Sequence, residues 1–347
     1  MNVNIKPEAQ PVENGNVFML PTAYDRAELV DLVPLANPIS MQVDPASLCN
    51  FKCAFCPTGD PRLIKQTGRG QTFMKMELYE KILAEIAAFK TPLKTLKLFK
   101  DGEPMLHPQF IEMVRLAKAT KNVARVETTS NGSKLSPEFN EKLAASGIDR
   151  VVLSIEGVSD ETYLSFAKVR FDFAKFVETV RHLYSIRGNM KLHVKTVAQN
   201  LDYSKGEDRI FLDTFGPISD GIYIENTVAS WPDFAVADAV PDEVDAYGRD
   251  TVKKDICPYV LYALSINADG VVSPCCVDWN RELALGSVAD QTILDIWNGP
   301  KMAALRRSHI VDGLSSVPSC ASCGQVHACT HDNVDPRRED LIKRLGF

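Results

Sequence analysis

Nine cysteines fall into two groups along this 347-residue chain: three within positions 49–56, none in the next two hundred residues, and six between 257 and 329. No other feature restricts the fold so strongly, because thiols grouped in this way are expected to converge in space. Disulfides explain the pattern poorly. The count is odd, and the opening stretch MNVNIKPEAQPVENGNV lacks the apolar core of a secretory signal. A cytoplasmic location is therefore expected, where thiols stay reduced and metal binding is their natural use. A net charge of -6 gives no bulk attraction to nucleic acid or to an anionic membrane, and no apolar run is long enough to span a bilayer. Lys90, Lys94, Lys97 and Lys100 cluster, which reads as a solvated face.

Between Ile39 and about Asn226 the pattern alternates. ISMQVD, TLKLF, ARVETT, RVVLSIEG, LHVKTVAQ and GIYIEN are short β-rich runs, and helical patterns separate them. In MKMELYEKILAEIAAF, Leu78, Ile82, Ile86 and Phe89 share one helical face. In LSPEFNEKLAASG, Ser136 can cap, Pro137 suits the first turn and Gly147 can terminate. Six such units imply an α/β fold with a parallel sheet, open or rolled into a partial barrel, whose ligands gather at the carboxyl ends of the strands. Cys49 follows the first strand directly and so lies on that face. Residues 227–256, with Pro232 and Pro241, read as an acidic bridge in which Trp231 and Tyr247 are packing residues. ALSINADGVVSPCC then reads as a hairpin turning at Asn267–Gly270, followed by a short helix, QTILDIWN, and a cysteine-rich end.

Cys49, Cys53 and Cys56 have C-x3-C-x2-C spacing. Iron–sulfur clusters are held by thiolates, and three thiolates on a four-iron cube leave one iron with open positions. A zinc ion would need a fourth protein ligand, for which Asp60 is the nearest candidate. The motif resembles that of the radical S-adenosylmethionine (SAM) superfamily, with Phe55 as the aromatic residue before the third cysteine. The resemblance implies a [4Fe–4S] cluster whose open iron is chelated by SAM, and reductive cleavage of SAM to a 5′-deoxyadenosyl radical that abstracts a hydrogen atom. It also implies an external electron donor such as flavodoxin or ferredoxin. LFKDGEP resembles the family's GGEP motif for the methionine amino group, at Gly102, Glu103 and Pro104, with Asp101 where a glycine is usual. TTSNG offers Asn131 on a cofactor-facing loop. Ser154 in LSIEG resembles the ribose-contacting serine, and Arg170 the arginine that pairs with the SAM carboxylate. His107 receives no chemistry and reads as a helix cap.

The later cysteines resemble the SPASM/Twitch extension of radical SAM enzymes. DGVVSPCCVDW, LGSVADQTILDIWN and CASC carry the likeness. Two further four-iron clusters would need eight thiolates and six are present; Asn333 stands where the full pattern has another cysteine. One auxiliary [4Fe–4S] cluster on Cys257, Cys275, Cys320 and Cys323 is expected, with Cys276 and Cys329 free, though either could displace one of the four. A zinc ribbon is the alternative. The expected architecture is a 1–38 extension, a (β/α)6 TIM-like partial barrel over 39–226, a bridge over 227–256, a small α+β auxiliary iron–sulfur domain over 257–335 and a 336–347 tail.

A carbon radical that bears a hydroxyl or amine becomes a carbonyl or imine on losing a proton and an electron, which an auxiliary cluster can accept. This logic matches the family's aminocyclitol dehydrogenases, and sugar epimerisation is close kin, with Cys276 or Cys329 as a conceivable hydrogen donor. The expected activity is oxidation or epimerisation of a hydroxylated small molecule. Peptide or protein modification is the alternative; about forty residues before the first strand are too few for the leader-peptide-binding domain that many peptide maturases carry. A non-catalytic iron–sulfur or zinc scaffold is a third reading, against which the open three-thiol site argues.

Overall fold

The computed structural model describes residues 10–11, 17–18, 27–236, 239, 243–248, 250–328 and 332–347. Cys329 and Pro241 lie outside them. Six parallel strands form the centre: β1 Ser40–Val43, β2 Thr95–Lys97, β3 Val126–Ser130, β4 Arg150–Ser154, β5 Lys191–Val197 and β6 Gly221–Glu225. They lie in sequence order across the sheet, each paired with the next, and coincide with the six β-rich runs of the sequence. Helices separate them, as sequential parallel strands require. Among these are α1 Pro61–Gln66 and α2 Met76–Ala87 before β2, α3 Phe110–Ala119 before β3 and α4 Pro137–Ala144 before β4. The architecture is the expected α/β partial barrel.

Local chemistry sets the helix ends. Ser136 Oγ accepts from the Phe139 N–H at 3.1 Å, Pro137 takes the first helical position of α4, and Gly147 follows the helix at φ +84°. Of the expected α2 stripe, Ile82, Ile86 and Phe89 are buried, Phe89 just past the helix end, and half-buried Leu78 packs on the same core; Tyr79 and Leu83 join them. His107 is structural, its Nε2 2.9 Å from Met74 O and its Nδ1 accepting from Gln109 N–H at 3.1 Å.

The sheet extends further than the sequence suggested. A hairpin of β7 Ala263–Ile266 and β8 Val271–Ser273 turns at Asn267–Gly270, and β7 adds in parallel to the free side of β1, Ser40 opposite Ala263 through Val43 opposite Ile266. The C-terminal module is thus hydrogen-bonded into the barrel sheet. Beyond it a second, smaller core of Cys257, Val277, Leu314, Cys323 and Val326 forms, with Trp231 packed against it.

The two faces of the curved sheet differ in kind. Met41, Val43, Leu96, Val126, Val151, Leu153, Leu192, Val194, Ile222 and Ile224 belong to the main core under the helices. The alternate positions, Gln42, Lys97, Glu127, Arg150, His193, Lys195, Tyr223 and Glu225, point to the inner face, because successive side chains leave a strand on opposite sides. That face is polar. Arg150 pairs with Glu127 at 2.6 Å and Lys195 with Glu225 at 2.7 Å, and His193 Nδ1 lies 3.0 Å from the Tyr223 hydroxyl. Among the described residues no helix is long and apolar enough to cross a membrane.

Candidate active site between two cysteine sets

The loop after β1 carries Cys49, Cys53 and Cys56, all partly buried, and the three thiols lie close enough to raise one another's pKa. Burial pushes each up, Cys49 to about 12 and Cys53 and Cys56 above their ordinary value. Thiols in such a setting keep their protons unless a strong positive charge replaces them, which is what iron supplies. Two donors address Cys49 Sγ: Phe51 N–H at 3.4 Å and Asn131 Nδ2 at 3.9 Å. Donors of this kind tune cluster thiolates. Asp60, the candidate fourth ligand for zinc, instead caps α1 through the Arg62 and Leu63 N–H groups and pairs with Arg62. Among the described residues no three His, Cys, Asp or Glu side chains converge on the position of a single ion.

The GEP segment packs directly onto this loop. Glu103 N–H donates to Leu48 O at 2.9 Å, and Gly102 lies so close that an added Cβ would stand 2.2 Å from that same oxygen. Pro104 opens a short 3-10 turn. Glu103 is buried, with Oε1 accepting from Met105 N–H (2.9 Å) and Ser130 Oγ (2.7 Å) and Oε2 from Asn131 N–H (2.7 Å). Its carboxylate therefore braces the TTSNG loop, leaving about one lone-pair direction and the segment's backbone carbonyls for an ammonium. Burial nevertheless raises its pKa from 4.5 to about 7. A folded value above the unfolded one gives stability that is complete below about pH 4.5 and lost as pH rises through about 7. Glu103→Gln removes that dependence. In urea unfolding, wild-type stability relative to the variant is expected to fall by up to about 3 kcal/mol across this window; a constant difference would refute the assignment.

Around this centre, Phe55 is half-buried beside Cys56, and Ser154 is half-buried at the end of β4. Arg170 is exposed and has no ion pair among the described residues. Glu156, two residues past Ser154, is buried, accepts from Asn200 Nδ2 at 3.0 Å, and acts electrostatically on both Cys49 and Cys53. The strand ends thus bring Gly102, Glu103, Asn131 and Ser154 to the face that carries the three thiols.

The second set is gathered in one cavity, lined by Cys257, Cys275, Cys320 and Cys323 together with Tyr259 and Asp278. Burial raises the Cys320 thiol to about 12 and Cys323 to about 11, with Cys257 and Cys275 above their ordinary value as well. His309, fully buried, accepts the Cys257 N–H through Nδ1 at 3.4 Å. Cys276 packs on the same small core without lining the cavity, and its charged neighbours are Lys97, Lys100 and Asp101 of the barrel.

A buried ion network joins the two sets, and local sequence patterns did not reveal it. Asp101 pairs with Lys100 at 2.9 Å and with Arg69 at 3.1 Å, all three side chains closed to solvent. Arg69 also donates to Thr58 Oγ1 (2.8 Å) and Trp279 O (3.2 Å), and Lys100 to Asp278 O (3.3 Å). The lysine run is therefore not one solvated face: Lys90 and Lys94 are exposed, Lys97 is half-buried and Lys100 is sealed. Asp44, next to this network, is fully buried, and burial followed by the charge of Asp101 raises its carboxyl to about 7.

Comparison with known proteins bears on both sets. A family profile described as "Radical SAM superfamily" matches residues 43–196, and SPASM, described as "Iron-sulfur cluster-binding domain", matches 257–324. Among curated relatives, a GTP 3',8-cyclase of Chlorobaculum tepidum is 31% identical over 35% of this chain and 34% of its own length. An AdoMet-dependent heme synthase of Methanosarcina barkeri is 25% identical over 44% of this chain and 41% of its own. The chain thus matches well under half the length of these relatives. Among solved structures, BtrN in complex with AdoMet and 2-DOIA superposes with a TM-score of 0.54 at 17% identity, over 86% of this chain and 97% of that one. Streptococcus suis SuiB bound to precursor peptide SuiA gives 0.62 at 15% identity, over 84% and 71%. At these identities the structural likeness speaks for the fold.

Proposed function

Because the chain is a radical SAM protein with a C-terminal SPASM domain, a class whose cofactors are SAM, a [4Fe–4S] cluster and auxiliary clusters, we propose that it oxidises or epimerises a hydroxylated small molecule such as a sugar or aminocyclitol. When bound, the first cluster and SAM would supply one-electron reduction and hydrogen-atom abstraction. In this reading Cys49, Cys53 and Cys56 would hold that cluster. The Gly102–Pro104 backbone and Glu103 receive the methionine ammonium, Arg170 its carboxylate and Ser154 the ribose; Phe55 and Asn131 flank the site. Cys257, Cys275, Cys320 and Cys323 hold one auxiliary cluster. The domain limits given above follow the same division, and an external reductant such as flavodoxin or ferredoxin would serve the first cluster.

The observation that carries the substrate class is the inner sheet face. It presents Gln42 and Lys97 on the first two strands and Lys195, Tyr223 and Glu225 on the last two, a mixture of donors and acceptors of both charges. Such a wall suits a ligand dense in hydroxyls and amines; Lys195 and Glu225 hold each other and Tyr223 meets His193, while an apolar ligand would leave Lys97 without a partner. Peptide modification is the second reading, supported by the likeness to SuiB bound to its precursor peptide.

Deuterium transfer separates the two. Anaerobic protein reconstituted with iron and sulfide, given SAM and a reductant, is expected to yield deuterated 5′-deoxyadenosine from carbon-deuterated aminocyclitols or sugars and none from deuterated peptides. Transfer only from peptides would reverse the order of the readings, and absence of SAM cleavage would remove both.

A further inference from the structure

Among the described residues that line the cavity of the second cysteine set, Asp278 alone bears a charge. It is buried, three residues past Cys275. Its carboxylate is fixed at both oxygens: Oδ1 accepts from Leu283 N–H at 3.2 Å and Oδ2 from Ser273 Oγ at 2.6 Å. Ser273, at the end of β8, itself accepts from Asn267 Nδ2 at 3.2 Å, so its single hydroxyl proton is turned toward Asp278. Burial works against the charge and raises the carboxyl's pKa, while these two donors and Lys100 favour the anion. The stretch PCCVDW sets Asp278 near the thiols along the chain, but only the hairpin that ends at Ser273 turns it into the cavity wall.

No cation neutralises this carboxylate directly. Asp278 has no ion pair among the described residues. Lys100 reaches its backbone carbonyl at 3.3 Å and pairs with Asp101 instead. Pro232, Val277, Leu283 and Val326 make much of the remaining lining apolar, so little there screens a fixed charge. The effect is visible on the thiols themselves: after burial and other thiols, the Asp278 charge raises both Cys275 and Cys320. What resists a negative charge on these sulfurs also resists an electron added to a cluster that they hold.

We propose that Asp278 tunes the auxiliary cluster, holding its reduction potential low so that it stays oxidised while the first cluster is being reduced. This rests on the reading that Cys257, Cys275, Cys320 and Cys323 hold such a cluster, and adds which side chain keeps it ready to accept. The step served moves one electron from the substrate radical to the auxiliary cluster and one proton from the radical's hydroxyl or amine to solvent, leaving a carbonyl or imine. An acceptor has to be empty at that moment. A reductant strong enough for the first cluster would fill a second one of higher potential before it, and the fixed anion of Asp278 works against that filling.

The test is potentiometry followed by electron paramagnetic resonance, on anaerobic protein reconstituted with iron and sulfide, the auxiliary signal being the one that survives in Cys53→Ala. Asp278→Asn is expected to keep all the iron and to raise the ratio of reduced to oxidised auxiliary cluster about tenfold or more at a fixed poise. The first cluster should not move. Asp278→Glu, which keeps the charge, should behave like wild type, as should Asp290→Asn, altered at an exposed carboxylate of the same module. An unchanged auxiliary potential in Asp278→Asn overturns the proposal, and so does an equal shift in Asp278→Glu. If Asp278→Asn loses the auxiliary iron, Asp278→Ser takes its place; loss in both makes the carboxylate a support for the metal and overturns the tuning role. Wild type with only about four irons, and none left in Cys53→Ala, removes the auxiliary-cluster reading itself and the proposal with it.

Discussion

Gly102→Ala is expected to yield little folded protein and none that retains the first complement of iron. An ideal Cβ at this position meets Leu48 O at 2.2 Å and Ala46 O at 2.3 Å. Both are backbone atoms, so no side chain can swing aside. Either the strand-β2 exit or the cysteine loop has to move, and the Glu103 N–H bond to Leu48 O is lost with it. Overpacking against rigid backbone belongs to the largest single-residue effects, about 4 kcal/mol or more. Gly70→Ala, where an added Cβ meets nothing within 4 Å, is the control and should melt like wild type. Circular-dichroism melts and iron counts on the two variants decide the matter; wild-type melting and iron in Gly102→Ala would show that the two loops are not locked together.

The second large effect concerns metal content. Cys53→Ala is expected to lower reconstituted iron from about eight to about four per chain and to reduce 5′-deoxyadenosine formation to background. Cys257→Ala should lower iron equally yet leave SAM cleavage measurable, because its thiol lines the cavity of the second set, away from Cys49, Cys53 and Cys56. Cys276→Ala should keep all the iron, since that thiol packs against the small core without lining the cavity. Iron loss in Cys276→Ala together with full iron in Cys275→Ala would exchange their roles.

Much of this was legible in the sequence, for identifiable reasons. Period-two runs bounded by turns located all six central strands, and the Ser136 cap and Gly147 stop follow from side-chain chemistry that acts over a few residues. Cysteine spacing separated the two sets, and the resemblance to the SPASM/Twitch extension pointed to the four thiols that share a cavity, with Cys276 and Cys329 left open. What escaped is what depends on long-range pairing. Nothing local says that Ala263–Ile266 will lie beside β1, or that Arg69 will reach Asp101 and Trp279. Asp101 was noticed as a departure from a usual glycine, yet its consequence, a buried anion holding two cations of opposite approach, required the fold. Lys100 was misjudged for the same reason: a charge run is solvated only where the chain leaves it outside.

The docking of β7 on β1 also bears on biosynthesis. Ser40 finds its neighbour Ala263 only after more than two hundred intervening residues have been made. Until then the strand that leads into the first three thiols has an open hydrogen-bonding edge, the kind of surface on which nascent chains aggregate. Iron delivered before Ala263–Ile266 has docked would meet a half-formed cradle, so loading of the first three thiols is expected to follow the folding of the C-terminal module.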